Sequence, residues 1–85
     1  MDLAKLAEEI EKKIYEVVVR EAGGEKRVIR YNPVIRLSES DDRLDVDIEL
    51  ELELSPLAKK PKEEILKAVR SEVDKLIKEL TGRER

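Results

Sequence analysis

The alternation of apolar and charged positions is most regular over residues 43–54, RLDVDIELELEL. Leu44, Val46, Ile48, Leu50, Leu52 and Leu54 fall on one side of an extended chain, and Asp45, Asp47, Glu49, Glu51 and Glu53 fall on the other. A two-residue period of this kind predicts a strand with one buried and one wet face. At about 3.4 Å per residue it would run some 40 Å, so a twist, a bulge or an overhang is expected. Residues 26–38 carry a less regular two-residue period. Ile29, Tyr31, Pro33, Ile35 and Leu37 share one side, and Val28, Arg30, Asn32, Val34, Arg36 and Ser38 share the other. Pro33 has no N–H for a ladder and places this strand at an edge or a bulge.

Two stretches keep a helical period instead. Over residues 2–20, Leu3, Leu6, Ala7, Ile10, Ile14, Val17 and Val18 recur at three- and four-residue steps. Glu8–Lys12 and Glu9–Lys13 are spaced as favourable pairs, each worth about 0.2–0.5 kcal/mol. Val17-Val18-Val19 weakens the last turn, because β-branched side chains lose rotamer freedom in a helix, and a short third strand could start there. Gly23-Gly24 then ends the element. Over residues 61–80, Ile65, Leu66, Val69, Val73, Leu76, Ile77 and Leu80 form a second stripe. Pro61 suits its first turn, Glu63 and Glu64 complement its positive end, and Thr81-Gly82 stops it. Leu57 is expected to anchor the linker before it.

Glu39-Ser40-Asp41-Asp42 makes a hairpin loop between the strands. Pairing Ser38 with Arg43 sets Arg36 opposite Asp45 and Arg30 opposite Glu51. It also sets Leu37 against Leu44, Ile35 against Val46 and Tyr31 against Leu50. The order helix, strand, strand, helix predicts one two-layer α+β domain over residues 1–85, with an antiparallel hairpin covered on one face by two helices. Two strands leave two open edges, so a third strand or a second copy of the chain is expected to complete the sheet.

Length and composition narrow the functions. For 85 residues, scaling gives a folded surface of about 5,200 Å² against about 14,200 Å² unfolded, a small core for a monomer. There is no His or Cys, which excludes a disulfide framework, zinc or haem ligation through these residues, and Ser–His or Cys–His catalysis. No catalytic residue, cofactor or metal is expected. Charged residues make up 46% of the chain at a net charge of −3, which opposes bulk attraction to nucleic acid or an anionic membrane. Met1-Asp2-Leu3 leads directly into a charged periodic pattern, so no signal peptide is expected and a cytoplasmic protein is the default. Abundant Glu, Lys and Arg beside one Asn and no Gln match the bias of thermophile proteins. A designed chain could share it, but the irregular Tyr31-Asn32-Pro33 favours a natural one.

Three surface features carry candidate chemistry. The acidic row Asp45, Asp47, Glu49, Glu51 and Glu53 could serve acid–base chemistry or hold a divalent cation. Same-face neighbours on a strand stand about 6.5–7 Å apart, too far for a compact cage, so a solvated face opposite Arg30 and Arg36 is the stronger reading. With Val28, Val34 and Arg36 the row also makes a candidate interaction surface. Lys26, Arg27, Arg30, Lys59, Lys60 and Lys62 are a candidate anion or RNA contact, although stacking aromatics are lacking. Gly23-Gly24 is not a phosphate loop: GxxxxGK[ST], GxGxxG and GXXG are all absent.

Leu44–Gly82, LDVDIELELELSPLAKKPKEEILKAVRSEVDKLIKELTG, resembles the end of the alkaline-shock protein family. That family has an alternating strand, a short turn and a helix closing on a threonine-glycine pair, here Thr81-Gly82. The first half of the chain and the SPLAKKP turn do not follow its pattern. The whole plan also resembles small uncharacterised archaeal helix–hairpin–helix proteins. These resemblances imply a non-enzymatic, self-associating intracellular protein. A homodimer is the leading expectation, with residues 43–54 as the seam; a ribosome- or RNA-associated factor is the alternative, and an enzyme is the least favoured.

Overall fold

A computed structural model describes residues 2–41 and 43–82. Helix α1 (Leu3–Ala22) leads through one 3₁₀ turn (Glu25–Arg27) into strand β1 (Val28–Ser40), strand β2 (Arg43–Leu54) and helix α2 (Lys62–Thr81). The strands form an antiparallel two-stranded sheet. The α+β helix–hairpin–helix arrangement is the expected one.

Local chemistry sets the helix ends. The Asp2 carboxylate accepts the Lys5 N–H at 3.2 Å and caps α1. At the other end Gly23 takes φ +96°. Its N–H donates to the Arg20 carbonyl and that of Gly24 to the Val19 carbonyl, closing the helix in a left-handed cap. The valine run does not become a strand, and there is no third strand among the described residues. Val17 and Val18 are fully buried on the helix face. Burial of a valine is worth about 1.5–3 kcal/mol, far more than the few tenths its β-branched side chain costs a helix. Lys12 and Lys13 of α1 pair three residues away rather than four, Lys12 with Glu9 at 4.0 Å and Lys13 with Glu16 at 3.8 Å. Helix α2 starts one residue after Pro61, which lies outside it in an extended conformation. The Gly82 N–H closes it on the Lys78 carbonyl.

The hairpin departs from the expected register by two residues. Ser40 pairs with Arg43, Ser38 with Asp45, Arg36 with Asp47, Ile35 with Ile48 and Tyr31 with Leu52. Glu39 and Ser40 belong to β1, so the connection is Asp41-Asp42; Asp42 lies outside the described residues. Asp41 adopts φ +48°, a left-handed conformation that aspartate tolerates and tight hairpins require. A two-residue slip keeps every side chain on its face, so the alternating pattern does not distinguish the two registers.

Two side chains do change face. The ladder shifts between Val28 and Arg30. Beyond this irregularity Val28 turns inward against the core, while Ile29 is left 61% exposed. Val28 is therefore core and not part of the wet face, and Ile29 is the reverse. Leu57 does not anchor the linker either, being 70% exposed. Backbone bonds do so instead: the Ser55 N–H donates to the Arg27 carbonyl at 2.9 Å and the Lys59 N–H to the Ala22 carbonyl at 3.0 Å.

The core lies mainly between the helices. Leu6, Ile10, Ile14, Val17, Val18 and Ala22 of α1 meet Ile65, Val69, Val73 and Ile77 of α2, with Leu44 and Leu52 of β2 beneath. The inward side chains of β1 are only partly buried.

Candidate functional site

The wet face of the hairpin is an open lattice of ion pairs. Arg36 donates to Asp47 at 3.0 Å and to Glu49 at 3.1 Å. Arg30 stands 3.7 Å from Glu51 and 3.9 Å from Glu53, and Arg43 binds Asp45 at 3.2 Å. Every member of the acidic row thus faces an arginine, all of them exposed. Pairing with Glu49 and then Asp47 raises the pKa of the Arg36 guanidinium. Among the described residues no three carboxylates gather as a metal-binding set. Val34 is exposed beside Arg36.

The six candidate basic residues are gathered toward the end where α1 stops and α2 begins, because the linker is bonded to both Ala22 and Arg27. Two of them do not present free charge. Arg30 is turned to Glu51 and Glu53, and Lys60 donates to Glu21 at 2.7 Å. Glu21 also accepts from Arg20 Nε at 3.2 Å, while Arg20 Nη2 reaches Glu72 at 2.5 Å. This chain ties linker, α1 and α2 together. Lys60 and then Arg20 hold the Glu21 carboxyl below its ordinary range, and Arg20 does the same for Glu72. Lys59 lies with its side chain over Gly23, where a Cβ would stand 3.1 Å from its Cγ. Lys26 and Arg27 belong to the 3₁₀ turn, and Lys62 opens α2.

Tyr15 of α1 and Tyr31 of β1 meet where the helix crosses the strand. The rings of Tyr15 and Tyr31 pack edge to face, with centroids 5.3 Å apart and planes at 71°. The Tyr15 hydroxyl donates to Glu25, which is the main cause of its raised pKa. The Tyr31 hydroxyl is buried without a hydrogen-bond partner. Burial, then the charge of Glu11, pushes it up to about 12.

A cleft not anticipated from the pattern lies between β2 and α2. It encloses about 220 Å³ and is lined by Ile48, Leu50, Leu66, Val69, Arg70 and Val73. The alternation in β2 and the stripe in α2 mark these apolar residues as inward-facing. Their failure to close on each other has no sequence signal.

No helix among the described residues is long and apolar enough to cross a membrane. No protein-family model, curated protein or solved structure matches the chain.

Proposed function

We propose that this chain is a non-catalytic intracellular binding module whose first partner is a second copy of itself, joined through a strand edge. The observation that carries the reading is a two-stranded sheet under two helices, with a strand edge on each side that pairs with no further strand among the described residues. An unpaired edge templates strand addition unless it is blunted. On β1 the edge is blunted by Pro33, opposite Leu50, which a ladder accepts only with its nitrogen turned outward. On β2 no proline intervenes between Arg43 and Leu54.

The test is light scattering coupled to size exclusion over about a hundredfold range of concentration, since an assembly follows mass action. The expected mass is twice the 9.8 kDa of the chain at high loading. A mass of 9.8 kDa at every loading overturns the reading.

A further inference from the structure

Burial is uneven along the inward side of β2. Leu44 and Leu52 are buried, yet Val46, Ile48 and Leu50 between them are only half-buried. Two adjoining hollows explain this: the cleft of about 220 Å³, and a second of about 460 Å³ that reaches Leu44 and Val46. Both are lined by β2 and α2 and by no residue of α1 or β1, so they open at the outer edge of β2. Arg70 lines both and joins them into one groove. From Leu44 to Leu50 it runs about 20 Å, enough for a strand of about seven residues.

The backbone decides the shape of what fits. Pro33 pairs with Leu50, and a ladder accepts a proline with its nitrogen turned away from the partner strand. Peptide groups alternate along an antiparallel pair, so Ile48, Leu50 and Leu52 direct theirs to the outer edge of β2. An occupant that bonds to them is itself extended. Its inward side chains would lie beneath Leu66 and the stem of Arg70, which calls for apolar residues. The Arg70 charge at the rim opposes a basic residue there.

Charge decides the other side. On the wet face five carboxylates, from Asp45 to Glu53, meet only three arginines, Arg30, Arg36 and Arg43. Arg30 and Arg36 come from β1 and stand on one flank of the row. The other flank is the outer edge. Opposite charges across a ladder attract, so a strand on that flank is matched by lysine or arginine on its outward side.

We infer that the β2–α2 groove takes an extended segment of another protein, added to β2 as an antiparallel third strand, in which apolar residues alternate with lysine or arginine. A single strand is slim enough to lie beneath α2, and its two sides match the apolar groove and the acidic row. The inference goes beyond self-association and does not rest on it.

The probe is a labelled synthetic peptide of about nine residues, alternating lysine with valine or isoleucine. Its anisotropy is followed as the full chain is added, with light scattering on the same samples. A peptide of equal composition with its lysines in one block is expected to bind at least roughly tenfold more weakly. Methylation of the backbone nitrogens of the apolar residues, which face β2, should weaken binding as much, and methylation at the lysines should not. The reverse preference overturns the antiparallel arrangement. Equal binding by the block peptide shows bulk charge attraction only and overturns the site, as does no saturable binding. A Leu66→Asp protein with unchanged helical circular dichroism is expected to lose the alternating peptide; undiminished binding removes the groove. A chain that scatters as a dimer yet binds no peptide defeats this inference alone, and a monomer that binds it defeats self-association alone.

Discussion

Helix α1 and strand β1 lie against each other, yet they are buried to different depths. The inward side chains of α1 from Ile10 to Ala22 are at 0% exposure, whereas Tyr31, Ile35 and Leu37 of β1 remain half-open. Hydrophobicity does not explain this, since isoleucine stands on both elements. The neighbours do. Helix α1 is enclosed by α2 on one side and the sheet on another, while β1 has a helix on one face, solvent on the other and a bare edge. Closure by a second layer sets how much a side chain contributes to stability, and the outer parts of the hairpin lack that closure.

The sharpest test of this contrast is the same truncation in both elements. Ile14→Ala is expected to cost about 3–4 kcal/mol, because a fully enclosed site leaves a cavity. Ile35→Ala should cost less than half of that, since water already reaches it. Urea denaturation of both proteins compares them directly, and equal losses would break the contrast.

A smaller effect is expected where α1 ends. Gly23 is held at φ +96° with the Lys59 side chain above it. Gly23→Ala should cost about 1–2 kcal/mol in the same assay, the usual strain of a left-handed L-residue. An unchanged midpoint would mean that the linker shifts to relieve it.

The smallest effect belongs to β1. Tyr31→Phe deletes a buried hydroxyl that has no partner, so stability at neutral pH should be unchanged or raised by up to about 1 kcal/mol. The pH dependence has a definite sign. The folded-state pKa is raised from 10.0 to about 12. The contribution of the neutral phenol is therefore complete below pH 10 and lost as pH rises through about 12. Urea midpoints between these limits should decline less in Tyr31→Phe than in the parent. A parallel decline would show that other groups govern the alkaline limb.

Much of the architecture can be read along the chain, and the places where it cannot have specific causes. Leu44 to Leu54 alternate cleanly and do form the strand. The register was not legible, because either pairing sets arginines against carboxylates and keeps both faces intact. The tight connection at Asp41 decided it. Val28 and Ile29 exchanged faces because an irregularity in the ladder breaks a two-residue count without marking the sequence. Of the candidate basic residues, Lys60 was withdrawn by Glu21, a residue 39 positions away. The β2–α2 cleft depends on how a helix and a strand pack across the two layers, which no single segment carries.

The sequence by itself determined the order of the elements, the apolar side of each, the helix stops at glycine and the absence of histidine and cysteine chemistry. These depend on local backbone preference and on periodicity, both written within a few residues. Only the tertiary structure decided which strand residues stand opposite one another, which valines are enclosed and where the two layers fail to meet. Those outcomes depend on distances between segments remote along the chain, set by packing all four elements at once.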